Sequence, residues 1–278
     1  MSVYSDTLKT YSDTKFRQVV GFPRDIFNQI VELVEADYRQ VHTRRGRLSK
    51  LTSEDKVLIT AEYWRSYPTN MMLAAHYGVD EKTIRTVIER VEMVLMCSKQ
   101  FHLPGAKELL NEDSPFEIVL VDATDTRVER PKKKQKQNYL GKRKTHTAKA
   151  QVVYRVRDSR ILSVHLAQGA VHDFQLFKTT LGKLTIPEWV CLVVDSGYQG
   201  IQKYHANSIV PHKKPRGGQL TVEEKTYNHT LARFRMKIEH VNSYLKNFHI
   251  LADRYRKRRR NLGKVYNLLC ALYNLEYA

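Results

Sequence analysis

Residues 117–122 read EIVLVD, a run in which apolar and mostly β-branched residues lead to a carboxylate. A second run of the same kind, Trp189–Asp195 (WVCLVVD), also ends in aspartate. Runs this apolar are typical of strands buried on both faces of a parallel or mixed sheet. Such a strand has little room for a carboxylate except at its tip, where a site can open at the edge of the sheet.

The segments around these runs predict further strands and helices in the second half of the chain. Further strands are predicted at 146–156, 160–168 and 208–211, and helices at 173–181, 222–247 and 261–277. The first two of these strands are joined by Arg157-Asp158-Ser159 and form a predicted hairpin. Strands in a meander, then a helix, a further strand and more helices indicate an α/β fold with a mixed sheet.

Residues 1–115 predict an all-α domain that contains a helix-turn-helix. Within about residues 60–97, a short helix near Asn70–His76 is followed by Tyr77-Gly78-Val79, and Asp80 then caps a longer helix from Glu81 to about Cys97. An ordinary helical hairpin with a glycine turn fits the same pattern. In a helix-turn-helix, the side chains at the start of the second helix enter the major groove. Here these side chains are Lys82, Thr83 and Arg85.

Charge is concentrated in the second half of the chain. The 278 residues contain 47 Lys+Arg and 29 Asp+Glu, a net charge of +18, and residues 1–115 contain 16 of each. Two basic clusters dominate the remainder, the loop 130–144 (RPKKKQKQNYLGKRK) and the C-terminal segment 254–260 (RYRKRRR). Such runs are often solvated surface, but two of them in one chain favour contact with phosphates.

Other features of the composition narrow the class of protein. No apolar run approaches the roughly 18 residues of a membrane-spanning helix, so no membrane partner is expected. The first residues, MSVYSDTLKTYSD, lack the order of a signal peptide, and the three cysteines show no CxxC spacing. We therefore expect a protein of the reducing cytoplasm.

Asp122 and Asp195 are candidates for a metal site. Each aspartate alone is explained by capping the turn that follows it. If the two strands are neighbours, however, the carboxylates converge and raise each other's pKa unless a cation lies between them. Mg²⁺ prefers such hard oxygen ligands. Asp125 is a rival for the first position, and we favour Asp122 because Asp125 lies beyond the expected end of the strand.

Glu239 is the third candidate carboxylate, on the long helix of 222–247. The apolar positions Phe234, Ile238, Val241 and Leu245 define a buried stripe, with Glu239 at its edge. An i, i+4 surface pair with Arg235 would also explain Glu239. Acidic residues are scarce in this half, with 13 against 31 basic ones, which favours a specific role for these three.

The order of four blocks in the second half resembles a known family. The blocks are VDATDTRVERPKKKQKQNYLGKRKTHTAKAQ, AVHDFQLFK, VVDSGYQG and RMKIEHVNSYLKNFHILADRYRKRR. They resemble insertion-sequence transposases of the IS5 type (the ISL2-like branch), DDE superfamily endonucleases related to Harbinger elements. The resemblance implies an RNase H-like catalytic domain over 116–278 and a catalytic, metal-binding triad of Asp122, Asp195 and Glu239. A Tyr that often begins the family's helix signature is replaced here by Ala232.

The resemblance also implies a reaction, cofactors and partners. Metal-dependent cleavage of double-stranded DNA at the transposon ends, followed by strand transfer into target DNA, would use two Mg²⁺ or Mn²⁺ ions. A homodimer or higher oligomer on the DNA is expected, in a cytoplasmic, nucleoid-associated protein of bacterial type. The family's helix signature implies phosphate contacts from Arg235 and Lys246, and the basic run 254–260 separately predicts them from Arg256, Arg258, Arg259 and Arg260. A domesticated nuclease and a catalytically silent DNA-binding regulator remain as alternatives, and His172 is interpreted as a helix-entry residue.

Overall fold

The structure is a computed structural model that describes residues 3–41, 49–110, 116–133 and 135–278. It divides into two compact units, each built from several stretches of the chain. The first unit comprises Met1–His102, Lys246–Asp253 and Lys264–Glu276, and the second comprises Leu103–Leu245, Arg254–Gly263 and Tyr277–Ala278. Two C-terminal stretches that the sequence placed in the catalytic domain thus belong to the helical unit. Residues 111–115, at the predicted domain boundary, and Lys134 of the basic loop lie outside the described residues.

The first unit is helical, as predicted. Its helices are α1 (Val3–Lys9), α2 (Asp13–Val20), α3 (Arg24–Val41), α4 (Ser53–Arg65), α5 (Asn70–Tyr77) and α6 (Glu81–Cys97). The predicted apolar stripe of α3 is buried at Ile26, Phe27, Ile30 and Val34. Thr52 and Asp55 form a reciprocal capping box that starts α4.

The helix-turn-helix is formed by α5 and α6. Thr69 caps α5, and Gly78 ends it in the left-handed conformation (φ 62°), where a side chain would be strained. The Asp80 carboxylate accepts a hydrogen bond from the Lys82 backbone N–H at 2.7 Å and so starts α6. Both helices and the turn therefore confirm the prediction to within a residue or two.

Two C-terminal helices and an ion pair complete the first unit. The helices that follow α6 in the chain are α7 (Gln135–Asn138), α8 (Asp173–Thr179), α9 (Val222–Lys246), α10 (His249–Ala252) and α11 (Leu262–Tyr277). Of these, α10 and nearly all of α11 belong to the first unit, whereas α7, α8 and α9 up to Leu245 belong to the second. Residues 268–273 of α11 are all buried. Lys264 Nζ lies 2.6 Å from the carboxylate of Glu92, whose side chain is 3% exposed. Apolar burial and this ion pair explain why α11 belongs with the N-terminal helices.

The second unit is built on a mixed six-stranded sheet. Its strands are β1 (Glu117–Arg127), β2 (Tyr139–Leu140), β3 (Thr145–Arg155), β4 (Arg160–Gln168), β5 (Val190–Val194) and β6 (Ser208–Ile209). Their spatial order is β4-β3-β1-β5-β6, with β2 paired to the start of β3. The β1–β3 and β3–β4 pairs are antiparallel, whereas β1–β5 and β5–β6 are parallel. The predicted hairpin and mixed sheet are confirmed.

Strand β1 is longer than the sequence predicted. It continues beyond Asp122 to Arg127 because β3 pairs with it over nine positions, Val119 to Arg127. Asp125 is therefore inside the strand, and the reason given against it was wrong. Because side chains alternate along a strand, Asp122 and Asp125 project from opposite faces of the sheet.

Candidate active site

The register of two parallel strands places Asp122 beside Asp195. The β1–β5 pairing ends at Val121 opposite Val194, and both aspartates are the next residue on their chains. β5 ends there, because the Asp195 side chain caps the 3₁₀ turn Ser196–Tyr198 by accepting from the Ser196 N–H. Both capping and convergence therefore hold for Asp195. The apolar residues that precede the pair, from Val119 to Val121 and from Val190 to Val194, are all buried.

Helix α9 supplies a cation to this pair of carboxylates. One guanidinium nitrogen of Arg235 lies 3.7 Å from Asp122 Oδ1, and another lies 3.6 Å from Asp195 Oδ1. Asn242, two turns further along α9, donates a hydrogen bond to Asp122 Oδ2 at 2.8 Å. In this structure, the cation that lies between the two converging aspartates is therefore the guanidinium of Arg235.

The environment of Asp122 raises the pKa of its carboxyl group to about 6. Burial is the largest cause, since the side chain is 19% exposed, and Asp195 and Asp173 add smaller repulsive contributions. Arg235 and the backbone N–H of Ala123 act in the opposite direction. One guanidinium thus does not fully compensate the burial of this carboxylate.

Glu239 shares the helix face that reaches Asp122, but its side chain does not complete the site. It lies four residues after Arg235 and three before Asn242, so all three project from one side of α9. Its side chain is exposed and forms no hydrogen bond or ion pair with any described residue. Within residues 3–41, 49–110, 116–133 and 135–278, no three His, Cys, Asp or Glu side chains are arranged to hold a metal ion.

The donor atoms around Asp122 nevertheless fit a divalent cation. Asp122 and Asp195 offer carboxylate oxygens, the ligand type that Mg²⁺ prefers. Among the described residues, the buried Oδ1 of Asn242 has no hydrogen-bond partner. Unsatisfied buried acceptors are rare in folded proteins, and an amide oxygen is an atom type that Mg²⁺ can also use.

Several polar residues near the site were not identified from the sequence. Asp173 is the first residue of α8 and not its cap, because His172 occupies the cap position, without a side-chain hydrogen bond. The Asp173 carboxylate instead pairs with the ammonium of Lys149, and Lys149 lies opposite Asp125 in the β1–β3 register. Helical spacing from Glu239 could have indicated Asn242, but nothing in the sequence indicates the Lys149 pairing.

A buried hydrogen-bonded pair lies behind the turn that follows Asp195. The Gln151 side-chain amide donates to the hydroxyl of Tyr198 at 3.0 Å, and the Thr180 hydroxyl donates to Gln151 Oε1 at 3.0 Å. Burial raises the pKa of Tyr198, so its hydroxyl stays protonated. These contacts fix the Ser196–Tyr198 turn and hence the position of Asp195.

The predicted DNA contacts occupy different parts of the structure. The side chains of Lys82, Thr83 and Arg85 are exposed on the first turns of α6. The ammonium of Lys246 donates to the backbone carbonyl of Leu251 at 2.9 Å, which ties the end of α9 to α10. The remaining predicted contacts lie in the segment 254–260, where Arg256, Arg258 and Arg260 are exposed and Arg259 is half-buried.

Comparisons with known proteins identify the family of the chain. A family described as the transposase DDE domain matches residues 113–275. The chain belongs to the DDE transposase family. A helix-turn-helix of DDE superfamily endonucleases matches residues 49–98, a range that contains α4, α5 and α6. The mixed sheet is accordingly that of an RNase H-like DDE domain.

Two relatives support the same conclusion. The chain is 40% identical over 270 residues to a protein of Microchaete diplosiphon named as the probable transposase for insertion sequence element IS702, and the match covers 97% of each chain. It is 26% identical over 221 residues to a protein of Streptomyces albus G assigned as a transposase for insertion sequence element IS112, covering 76% of this chain and 75% of that one. The narrower IS5-type and Harbinger resemblance stays a prediction.

The family assignment defines the general activity of the protein. It is a DNA transposase, and endonuclease activity is typical of its family. DDE superfamily endonucleases typically use divalent metal ions, and the helix-turn-helix and transposase domains imply DNA binding. No helix in the described part of the chain is both long and apolar enough to cross a membrane.

Proposed function

We propose that Asp122, Asp195 and Glu239 are the catalytic carboxylates of this transposase and hold two divalent ions, Mg²⁺ or Mn²⁺. The observation that carries the proposal is the pair formed by Asp122 and Asp195 on adjacent parallel strands, bridged by the Arg235 guanidinium at 3.7 and 3.6 Å. Two carboxylates held this close need a cation. Divalent ions meet this need and also serve phosphodiester chemistry.

Each carboxylate has a role that follows from its position. Asp122 is central, because it contacts both Arg235 and Asn242 of α9, and it would help to hold both ions. Asp195, at the end of β5, and Glu239, on α9, would each hold one of them. When bound, the ions activate the attacking oxygen and stabilise the leaving oxygen of the phosphodiester.

Two residues of α9 would assist these carboxylates without taking part in the chemistry. Asn242 fixes the orientation of Asp122 through its 2.8 Å hydrogen bond. Arg235 neutralises the carboxylates in this structure and presents a guanidinium where a phosphate would approach, so we assign it to the scissile phosphate or its neighbour. Its buried, unpaired Nε is consistent with an additional acceptor. Lys246 is assigned to a phosphate from the family resemblance alone.

The reaction would proceed on DNA bound at two kinds of surface, one that contacts bases and one that contacts phosphates. The exposed side chains of Lys82, Thr83 and Arg85 would read the element's ends in the major groove. Arg256, Arg258, Arg259 and Arg260 would hold backbone phosphates. Water would first attack the element end, and the released 3′-OH would then attack target DNA. Because two ends must be joined to one target, we propose a homodimer or higher oligomer on DNA.

A cleavage assay on an oligonucleotide duplex that carries the element's end tests the proposal. The variants Asp122→Asn, Asp195→Asn and Glu239→Gln should each lose cleavage in Mg²⁺ and in Mn²⁺ while keeping DNA binding, because each removes a carboxylate ligand with little change in volume. Glu223→Gln is the matched control, since Glu223 is exposed at the start of the same helix, and it should cleave like the wild type.

Three results would contradict parts of this proposal. Normal cleavage by one of the three variants would remove that residue from the triad. If the wild type cleaves in EDTA as well as it does in Mg²⁺, the reaction does not require metal ions. A wild-type protein that binds the ends without cutting them in either metal would favour the silent DNA-binding regulator.

A further inference from the structure

Two basic segments that are far apart in the sequence line one cleft of the second unit. The loop 130–144 and the segment 254–260 are separated by more than a hundred residues, yet both border a cleft of about 400 Å³. Its basic lining residues are Arg130, Lys133, Arg256, Lys257, Arg258 and Arg259. Glu129 is the acidic residue that lines it within the described part of the chain. The cleft therefore attracts anions strongly.

The fold holds the second basic segment against the end of β1. The backbone N–H of Tyr255 donates to the Arg127 carbonyl at 2.8 Å, and Val128 and Tyr255 form a parallel bridge. The side chain of Tyr255 is fully buried. The segment is thus anchored by one buried aromatic residue, while the side chains around it project into the cleft. This buried position excludes stacking of the Tyr255 ring on a nucleic acid base.

Arg259 is held in place in this cleft by a hydrogen bond to a buried side chain. Its guanidinium donates a hydrogen bond to Asn138 Oδ1 at 2.8 Å, and the Asn138 side chain is itself buried. Burial lowers the pKa of Arg259, and no carboxylate among the described residues pairs with it. A half-buried guanidinium held by a neutral amide has donors left for an anion, and a phosphate accepts such donors in a bidentate manner.

The basic surface continues beyond this cleft. Arg130 also lines a neighbouring cleft, together with Lys136, Tyr139 and His146. Tyr139 is 44% exposed and stands edge-on to His146 at 5.5 Å between ring centroids. Adjacent basic clefts match the repeating phosphates of a nucleic acid backbone better than a single small anion.

We propose that this cleft binds the backbone of duplex DNA about six base pairs from the phosphodiester that is cut at Asp122. Six residues of extended chain separate Asp122 from Val128 at the cleft, which corresponds to about 20 Å at roughly 3.3 Å per residue. Successive base pairs lie about 3.4 Å apart, so a duplex that runs along β1 spans this distance in about six base pairs. The position rests on the proposed function, since it is counted from Asp122.

Neutral phosphate analogues test this position. A duplex that carries the element's end is made with one methylphosphonate at a time, and binding is measured by fluorescence anisotropy in EDTA, so that no cleavage occurs. For the wild type, we expect at least about a tenfold loss of affinity when the analogue lies five to seven base pairs from the cut, because a charge-assisted hydrogen bond is lost. The Arg258→Ala/Arg259→Ala double variant should bind more weakly but show no further loss at these positions.

Salt dependence gives a second, independent measurement. Each neutralised phosphate contributes a slope of about 0.9 in log affinity against log salt, so the double variant should lower the slope by about 1.8. Arg254→Ala is the matched control, because Arg254 is exposed in the same segment but does not line the cleft. It should keep the wild-type sensitivity to the analogue.

The design distinguishes failure of the cleft from failure of the fold or of the proposed function. If the double variant does not fold, Arg258→Glu replaces it, because Arg258 is exposed and its reversal leaves the Arg259–Asn138 contact in place. The inference is wrong if the variant keeps the wild-type analogue sensitivity, or if the sensitive phosphates lie elsewhere. Either result, together with normal wild-type cleavage, removes the phosphate contacts assigned to this cleft and leaves the catalytic carboxylates standing. A wild-type protein that binds the duplex but does not cleave it contradicts the catalytic assignment and removes the cut from which the position in the cleft is counted.

Discussion

Replacing Asp122 with asparagine should stabilise the metal-free protein at neutral pH. The pKa of Asp122 is about 6 in the folded protein, against an ordinary value of 3.8. Because a tenfold change in proton affinity is worth about 1.4 kcal/mol, ionising Asp122 costs the native state up to about 3 kcal/mol. Asp122→Asn keeps the volume and can still accept the Asn242 hydrogen bond, but it carries no charge to desolvate.

The stability difference between Asp122→Asn and the wild type should depend on pH in a definite direction. The unfolded chain loses the Asp122 proton near pH 3.8, whereas the native state keeps it to about pH 6. The native state therefore binds more protons in this window, so wild-type stability falls as pH rises through it. The advantage of Asp122→Asn should be absent below pH 3.8, grow between pH 4 and 6, and be complete above about pH 7.

Urea denaturation in EDTA across this pH range measures the effect. Glu239→Gln is the control, because an exposed side chain without a partner should change the free energy of unfolding by less than about 0.5 kcal/mol. Adding Mg²⁺ at pH 7.5 should stabilise the wild type and not Asp122→Asn. A variant that is less stable than the wild type at pH 7.5, or a difference that does not change with pH, would refute the assignment of a desolvated carboxylate.

Two further predictions concern the helical unit. Lys82→Ala and Arg85→Ala should each weaken binding to the element's end by about 1–3 kcal/mol and should weaken binding to random duplex less, because a lost base contact is specific to one sequence. Parallel titrations of the two duplexes measure the difference. Equal losses on both would mean that α6 contacts only phosphates. Lys264→Ala should destabilise the protein by about 2 kcal/mol, because it leaves the buried Glu92 carboxylate without its ammonium partner. This loss of stability is smaller than that expected for a fully buried ion pair, since Lys264 is partly exposed. Adding Glu92→Gln should restore part of the loss in thermal melts, and no restoration would mean that packing, not charge, is responsible.

Strand and helix positions could be predicted because local periodicity determines them. The run EIVLVD and the run ending in Asp195 are apolar enough to be buried strands, and the structure has strands there. Asp80 and Gly78 are residues whose capping and turn chemistry is local, so the boundaries of α5 and α6 were accurate. The adjacency of Asp122 and Asp195 required one further assumption, that the two strands are neighbours, and the β1–β5 pairing confirms it.

Features that depend on distant partners could not be predicted. The second half of β1, ATDTR, is polar and looks like a loop, but β3 satisfies its backbone hydrogen bonds. Helix α11 follows the catalytic segment in the chain, yet its apolar face and Lys264 belong to the helical unit. In both cases the structure depends on contacts with residues that are distant in the sequence, and the local periodicity of the segment does not reveal those contacts.

The charges around Asp122 indicate why a third carboxylate on α9 is useful to the site. With both aspartates ionised, Arg235 leaves one net negative charge, next to an Asp122 carboxyl group whose pKa is raised mainly by burial and to a smaller extent by Asp195. The two divalent ions of the proposed site would bring four positive charges against the two aspartates, and Glu239 from the same helix face would offset one of the two that remain. One helix therefore carries both the cation that contacts the two aspartates and the carboxylate that we propose completes the metal site. Under this arrangement, Arg235 would turn from the aspartates to the phosphates of bound DNA and leave the carboxylate oxygens to hold the metal ions.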